Sequence, residues 1–482
     1  MSQRVKSTFE RLKSGRLSRK ERKELQRRLY SEDPGLEVVH RNAAGIDIGN
    51  ESHFVAVPPG RDKQPVREFG SWTADLRRMA AWLKQCGIET VAMQSTGVYW
   101  IAAYEVLEQE GLEVYLVNAR GTRNLPGRKT DVQECQWLMR LHTYGLLQNS
   151  FRPPEQIRPV RTVWRLRDRH VQEAARCVQH WQKALTTMNV QLHNAISDLS
   201  GVTGQAIVRA ILAGERDPFR LAKLRDPRVQ ASEEEIAHSL EGHWREEVLF
   251  ELQQAVEAYD FHQKQIAACD RQLQKYLAAL PNREAPGGAA AEGVPPEAPK
   301  RRARQRRPKG NQPHFDIATE LRRISGVDLT TIDGIDVGIA QTILADLGPD
   351  LSAWKSEAHF TSWLRLSPQR DLSGGQLIKQ RRQKVRNRVA NALRMGASSL
   401  LRSKSYLGAR YRHLRTRLGA VKAVKAMARY LACLVYRLLT RGQAWVDRGT
   451  EEFERKHAER QLCVLQRKAA AMGLKLVPSA LA

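Results

Sequence analysis

Between Ala43 and Gly121 apolar residues recur first at every second position and then at every third or fourth, a change of period that predicts strands alternating with helices. Short runs rich in Val, Ile and Tyr predict strands over 43–49, 52–57, 66–70, 90–95 and 113–118. Leu76, Met79 and Leu83 line one face of a helix at 72–86, and Ala103, Val106 and Leu107 line another at 99–111. A further helix is expected from Val132 to Leu147, directly after Thr130-Asp131. From Val163 to Leu280 the period is helical, with breaks near Gly201 and between Gly214 and Pro227. Trp164, Leu166, Val171, Ala174, Val178, Trp181 and Leu185 recur at spacings that suit an antiparallel helical hairpin or a coiled coil. A second helical block runs from Phe315 to Glu454, clearest at 339–347, 357–366, 385–401 and 420–439.

Three strands with no helix between them, followed by strands reached through two helices, make an α/β sheet of the ribonuclease H type. A flavodoxin-like sheet ranks second, because it would place a helix between the first strands. No glycine-rich phosphate loop is present, so no nucleotide cofactor is expected. Residues 282–311 are too rich in Pro, Gly and Ala, and then too cationic between Lys300 and Lys309, to bury a core, and they read as a linker. The expected organisation is a basic N-terminal arm (1–42), a ribonuclease H or resolvase-like domain (43–155), a helical or coiled-coil region (156–281), the linker (282–311), a mainly helical domain (312–454) and a C-terminal tail (455–482).

Charge adds a partner to this picture. The 482 residues include 79 Lys and Arg against 52 Asp and Glu, a net charge of +27 whose field attracts nucleic acid. The six cysteines form no CxxC pair, and Cys177 with His180 has no second pair to complete a zinc site, so they read as thiols in a reducing compartment. The basic N-terminal arm lacks the apolar stretch of a signal peptide, and the run from Tyr430 to Leu439 is interrupted by Arg437. A cytoplasmic protein without a membrane segment is expected.

Two groups of residues carry candidate chemistry. Asp47 lies on the first strand within Gly45-Ile46-Asp47-Ile48-Gly49, and Asp131 opens the helix after the fifth, with Glu134 one turn on. Carboxylates converging at the end of a twisted sheet suit Mg²⁺, which takes one or two of them and completes its shell with phosphate oxygens. The plainer alternative is that Asp131 caps its helix. The second group surrounds Ser373, which Pro368 and the pair Gly374-Gly375 place in a loop. Glycines allow backbone N–H groups to approach a phosphate, and a serine hydroxyl can attack phosphorus. Lys379, Arg381, Arg382, Lys384, Arg386 and Arg388 follow, with Arg394 beyond, as cations to grip a backbone. A surface turn before a basic helix is the plainer reading. The run Thr331–Gly338 fits either a phosphate-holding hairpin or a helix–helix turn.

Gly45-Ile46-Asp47, Met93-Gln94-Ser95-Thr96-Gly97-Val98-Tyr99-Trp100, Val117-Asn118-Ala119-Arg120, Pro126-Gly127-Arg128-Lys129-Thr130-Asp131 and Ser373-Gly374-Gly375 together resemble an insertion-sequence transposase of the DEDD kind, whose catalytic module is similar to a Holliday-junction resolvase. The resemblance covers roughly residues 43 to 155 and 325 to 440. It implies that Asp47 is the first acidic position and Asp131 the third, that Ser373 is the nucleophile of a C-terminal module, and that Lys129 lies among nucleic-acid-binding residues. It further implies double-stranded DNA as substrate, a structured guide RNA as partner and a homo-oligomer. Two positions depart from the acidic pattern, with Gln94 where glutamate is expected and Glu134 where aspartate is expected. Glutamine offers a metal a neutral carbonyl, and Glu105 is a candidate to compensate for the lost charge. The other readings are a metal-dependent resolvase or nuclease that uses water, and a non-catalytic nucleic-acid-binding protein.

Overall fold

The computed structural model describes residues 24, 35–94, 97–118, 130–283, 311–373, 376–381, 387–442, 455, 459, 462–467 and 469–474. They fall in two compact units divided between Arg152 and Pro153. Most of the N-terminal arm and nearly all of the segment read as a linker lie outside the described residues.

The first unit is a five-stranded mixed sheet. Strands β1 (Ala43–Ile48), β2 (Ser52–Ala56) and β3 (Val66–Gly70) form an antiparallel meander, and β4 (Thr90–Gln94) and β5 (Glu113–Val117) extend it parallel to β1, giving the order β3-β2-β1-β4-β5. Helix α1 (Thr73–Gln85) leads into β4 and α2 (Trp100–Gln109) leads into β5. Parallel neighbours need such crossovers, whereas the meander needs only turns.

Side-chain alternation sorts the strands into two faces. Ala44, Ile46, Ile48, Val91, Met93, Val114 and Leu116 face α1 and α2, where Leu76, Met79, Leu83, Ala103 and Leu107 complete a core. Ala92 and Val117 face the other way, onto Trp137, Leu138 and Leu141 of helix α3 (Asp131–Thr143). Each Leu, Ile or Met fully withdrawn from water stabilises the unit by about 1.5–3 kcal/mol.

Helix α3 is held at both ends. Thr130 is its N-cap, accepting from Gln133 N at 3.3 Å, so the cap is the threonine and Asp131 is the first helical residue. The last carbonyl, Thr143 O, accepts from Val39 N at 2.9 Å and His40 N at 3.0 Å, and the helix stops there instead of at Leu147. Just before it, His142 is buried against β4. Thr90 Oγ1 donates its single proton to Glu113 O at 3.1 Å, which leaves His142 Nε2–H to donate to that hydroxyl at 2.8 Å. Burial and the neighbouring His40 push the His142 imidazole down to about 3.

The second unit is mainly helical. Helices α4 (Arg158–Thr187) and α5 (Glu246–Ala278), of 30 and 33 residues, lie antiparallel along one another, each about 45–50 Å long. Trp181 of α4 meets Tyr259 of α5 edge-on at 4.8 Å, and short helices between residues 192 and 239 close the same core with Ile207, Leu221 and Ile236. Nearer the other end, buried Arg167 and Asp270 pair at 2.5 Å, and the remaining bonds of the pair reach Asn311 O and His314 N. This satisfies both charges where an unpartnered one would be costly.

After residue 311 come α6 (Ile317–Ser325), α7 (Val337–Leu347), α8 (Glu357–Trp363), a hairpin of β6 (Gln369–Ser373) and β7 (Gln376–Arg381), and then α9 (Arg388–Ser399), α10 (Tyr406–Leu418) and α11 (Ala420–Arg441). Phe360, Leu393, Leu431 and Val435 are fully buried among them. Arg161 and Arg165 of α4 both bond Asp346 of α7, and Trp164 Nε1 donates to Thr342 Oγ1 at 3.2 Å, tying the long pair to this block. Two expectations are corrected here. The residues after Gly375 form a strand before the helix, which starts only where Asn387 caps Ala390 N at 3.1 Å, and Ser373 ends a strand instead of lying in a loop. Asp336 caps α7 by accepting from Ile339 N at 2.9 Å, so a carboxylate occupies the helix start where a phosphate was one of the two readings.

His142 binds a proton more readily in the unfolded chain, with its ordinary value near 6.5, than in the folded one. Its contribution to stability is therefore complete above about pH 6.5 and is lost as pH falls toward 3. Urea unfolding midpoints measured across that window should decline in the wild type and decline less in His142→Gln.

Candidate active site

The site grows from a glycine. A Cβ on Gly45 would stand 2.2 Å from Cys135 O and 2.3 Å from Met139 N, so α3 lies on β1 with backbone against backbone. Only glycine permits that approach. Asp47, two residues on, shares the face of Gly45 and so projects on the α3 side of the sheet. On β4 the same alternation puts Gln94 on the face of Ala92, also toward α3. Ile46 and Met93 are the last paired residues of β1 and β4, and Asp47 and Gln94 each directly follow them. They are neighbours at the carboxyl ends of two adjacent parallel strands.

The first turn of α3 supplies the other two groups. Asp131 is exposed and Glu134 half-buried, both at the end of the helix whose partial positive charge favours anions. Gln94 Nε2 donates to Glu134 Oε2 at 3.5 Å, a long contact that nevertheless fixes the orientation of the amide, since only its NH₂ can face a carboxylate. Beneath them, Cys135 is fully buried and bonds Val132 O. Burial first, and then the carboxylates of Asp47 and Asp131, push its thiol up to about 12. The Gln94–Glu134 contact brings the first turn of α3 to the strand ends. Cys135 stays a neutral thiol at ordinary pH.

The donors suit a hard cation in kind. Among the described residues no three His, Cys, Asp or Glu side chains could hold a metal by themselves. A hard divalent ion takes one or two carboxylates and fills its shell with water and phosphate oxygens. Glu105 does not join them. It lies on α2, on the opposite side of the sheet from α3, and accepts from Arg152 Nη2 at 2.8 Å, while that guanidinium stacks on Tyr104 at 4.0 Å. The proposed compensation for Gln94 is therefore absent from this arrangement.

The family model for the DEDD transposase of IS110 matches residues 44–190, and the model for transposases of the IS116/IS110/IS902 family matches residues 328–412. The chain belongs to the IS110 transposase family. It is thus a DNA transposase, an enzyme that binds DNA, and its DEDD domain implies use of a divalent metal. No curated protein matches the chain. The first match spans the whole sheet and runs on through α4, and the second takes in the β6–β7 hairpin.

In that hairpin of the transposase the register pairs Ser373 with Gln376, Asp371 with Lys379 and Gln369 with Arg381, with a bulge between Asp371 and Leu372. Lys129, Arg382, Lys384 and Arg386 lie outside the described residues. Arg388 opens α9 and donates to Asp168 of α4 at 2.5 Å. Residue patterns had not singled out Cys135 or the role of Gly45, although a glycine inside a strand is the ordinary sign of a close backbone approach.

Two outcomes follow from this geometry. Gly45→Ala should lift α3 from β1, costing about 1–3 kcal/mol in chemical denaturation and lowering strand transfer more than the reduced stability alone explains. Gln94→Glu should place a like charge against Glu134, destabilising the metal-free protein by about 1–3 kcal/mol. Added Mg²⁺ should then raise its melting temperature more than it raises that of the wild type. Equal Mg²⁺ responses in the two proteins would show that position 94 does not face the ion.

Proposed function

We propose that this transposase cuts and rejoins the DNA of an insertion sequence through a phosphoserine intermediate on Ser373, with the ribonuclease H-like sheet unit holding phosphate oxygens. The observation that carries the reading is the shared position of Asp47, Gln94, Asp131 and Glu134 at one end of one sheet face. The strand order β3-β2-β1-β4-β5 supports the ribonuclease H-like reading.

Asp47, Asp131 and Glu134 are the residues that would hold a divalent ion, Mg²⁺ by the hardness of their oxygens. When bound, such an ion offsets negative charge building on the phosphate. Gln94 steadies Glu134 through its N–H and leaves the site one charge less negative than an all-acidic set would be. Cys135 keeps the floor beneath them closed to water.

The transfer balances as two exchanges at phosphorus. The Ser373 hydroxyl oxygen bonds to phosphorus as its proton leaves, and the bond to one deoxyribose oxygen breaks, releasing that strand end as a hydroxyl. A hydroxyl from the recipient strand then attacks the phosphoserine and returns the serine. One phosphodiester is broken and one is made, so no external energy source is needed. Lys379 and Arg381, on the strand that returns from Ser373, supply charge for phosphate oxygens. A structured guide RNA and a homo-oligomer complete the reading, as the resemblance implies.

Ser373→Ala should abolish the DNA adduct that survives denaturation while leaving duplex affinity within about twofold of the wild type, because one hydroxyl contributes little to binding dominated by phosphate charge. Gel analysis with end-labelled DNA reads both. An undiminished adduct rejects Ser373, and strand cutting with no adduct in the wild type favours hydrolysis by water.

A further inference from the structure

From Arg388 to Arg441 the chain holds thirteen Lys and Arg residues and no Asp or Glu, nearly half of the net charge of +27. Two groups stand out among these cations. One is spent inside the fold. Arg410 donates to Tyr406 OH at 2.9 Å and stacks on Tyr430 at 4.0 Å, Arg412 donates to Ser403 O at 2.6 Å, and Arg437 makes a two-bonded pair with Glu357 at 2.6 and 2.8 Å. The other group surrounds the turn between α10 and α11. Arg415, Arg417 and Lys422 are exposed and Lys425 is half-buried, and none of the four side chains has a hydrogen bond or ion pair among the described residues.

The turn itself is sharp and open. Gly419 has φ +77, a left-handed conformation, and no atom of the described residues lies within 4 Å of the place a Cβ would take. Val421 beside it is 82% exposed. Gathering cations there raises mutual repulsion that no ion pair among the described residues offsets, so an outside anion is what the arrangement fits. Lys422, Lys425 and Arg429 fall at i, i+3 and i+7 on α11, a stripe about 10 Å long, while Arg415 and Arg417 flank it from the end of α10.

We propose that this hairpin, residues 406–441, is a docking surface for the backbone of duplex DNA, distinct from the strand hairpin that carries Ser373. A single strand would call for exposed rings on which bases stack. Tyr411 and Tyr436 are buried, and Tyr430 is covered by Arg410. Contacts made by Lys and Arg without aromatic or amide partners grip phosphates and leave sequence unread. Most of this surface follows residue 412, where the second family match ends.

The test uses the full chain with Ser373→Ala, so that cutting does not disturb binding. Affinity for a duplex is measured against salt concentration with and without Arg415→Ala, Arg417→Ala and Lys422→Ala together. The slope of log affinity against log salt should become shallower by about 0.9 for each phosphate no longer neutralised, close to 2–3 for the triple variant, whatever the duplex sequence. The thermal midpoint should hold, because none of the three side chains makes a hydrogen bond or ion pair among the described residues, and Arg415→Lys with Arg417→Lys should keep the slope. An unchanged slope overturns the proposal. So does a weakening seen with duplex RNA and not with duplex DNA, which would assign the surface to RNA.

Discussion

The contact between α3 and β1 at Gly45 is the constraint on which the first unit depends. A helix normally rests on a sheet through a layer of side chains, and here that layer is missing at one residue. Cys135 O and Met139 N meet the strand where any Cβ would collide. This draws the first turn of α3 down to the level of the strand ends, where Glu134 meets the Gln94 amide. Thr130 at one end of α3 and the bonds from Val39 and His40 at the other fix its length and pitch against the sheet.

Electrostatics then decides what the cluster can be. Carboxylates gathered at one end of a sheet face repel one another unless a cation, a helix N-terminus or hydrogen-bond donors offset the charge. The structure provides two of these, the end of α3 and the Gln94 amide. Glutamine at this position makes the cluster less costly to fold without an ion and, for the same reason, less demanding of one. Glu105 cannot restore the charge, because its helix packs through Ala103 and Leu107 on the far face and Arg152 already holds its carboxylate.

Much of this was legible in the residues. Period-two alternation placed all five strands to within about a residue at each end, and it also puts Asp47 and Gln94 on one face. The helical stripes gave α4 and α5 as a pair, since Trp181 and its neighbours repeat over many turns. The β6–β7 hairpin was not legible. Its strands are short and largely polar or basic, so no apolar alternation announces them, and a Gly-Gly pair in the sequence reads as a loop equally well. The stop of α3 at Thr143 was hidden too, because bonds from Val39 and His40, far earlier in the chain, end it while the apolar pattern continues to Leu147.

The second unit shows why counting charges from sequence ranks residues poorly. Arg388 looked like a backbone-gripping cation and is tied to Asp168; Arg323 caps the end of α5 by donating to Leu277 O and Leu280 O. Arginine's fork of donors makes it a structural joint as readily as a phosphate ligand. What separates the two roles is the hydrogen-bond account of each guanidinium. A cation with its donors already directed at carbonyls or carboxylates must break those bonds to reach a phosphate, whereas the side chains of Arg415, Arg417 and Lys422 have no such bond among the described residues. The charge that defines this chain is therefore divided by its own fold, one part holding helices together and the other left facing solvent.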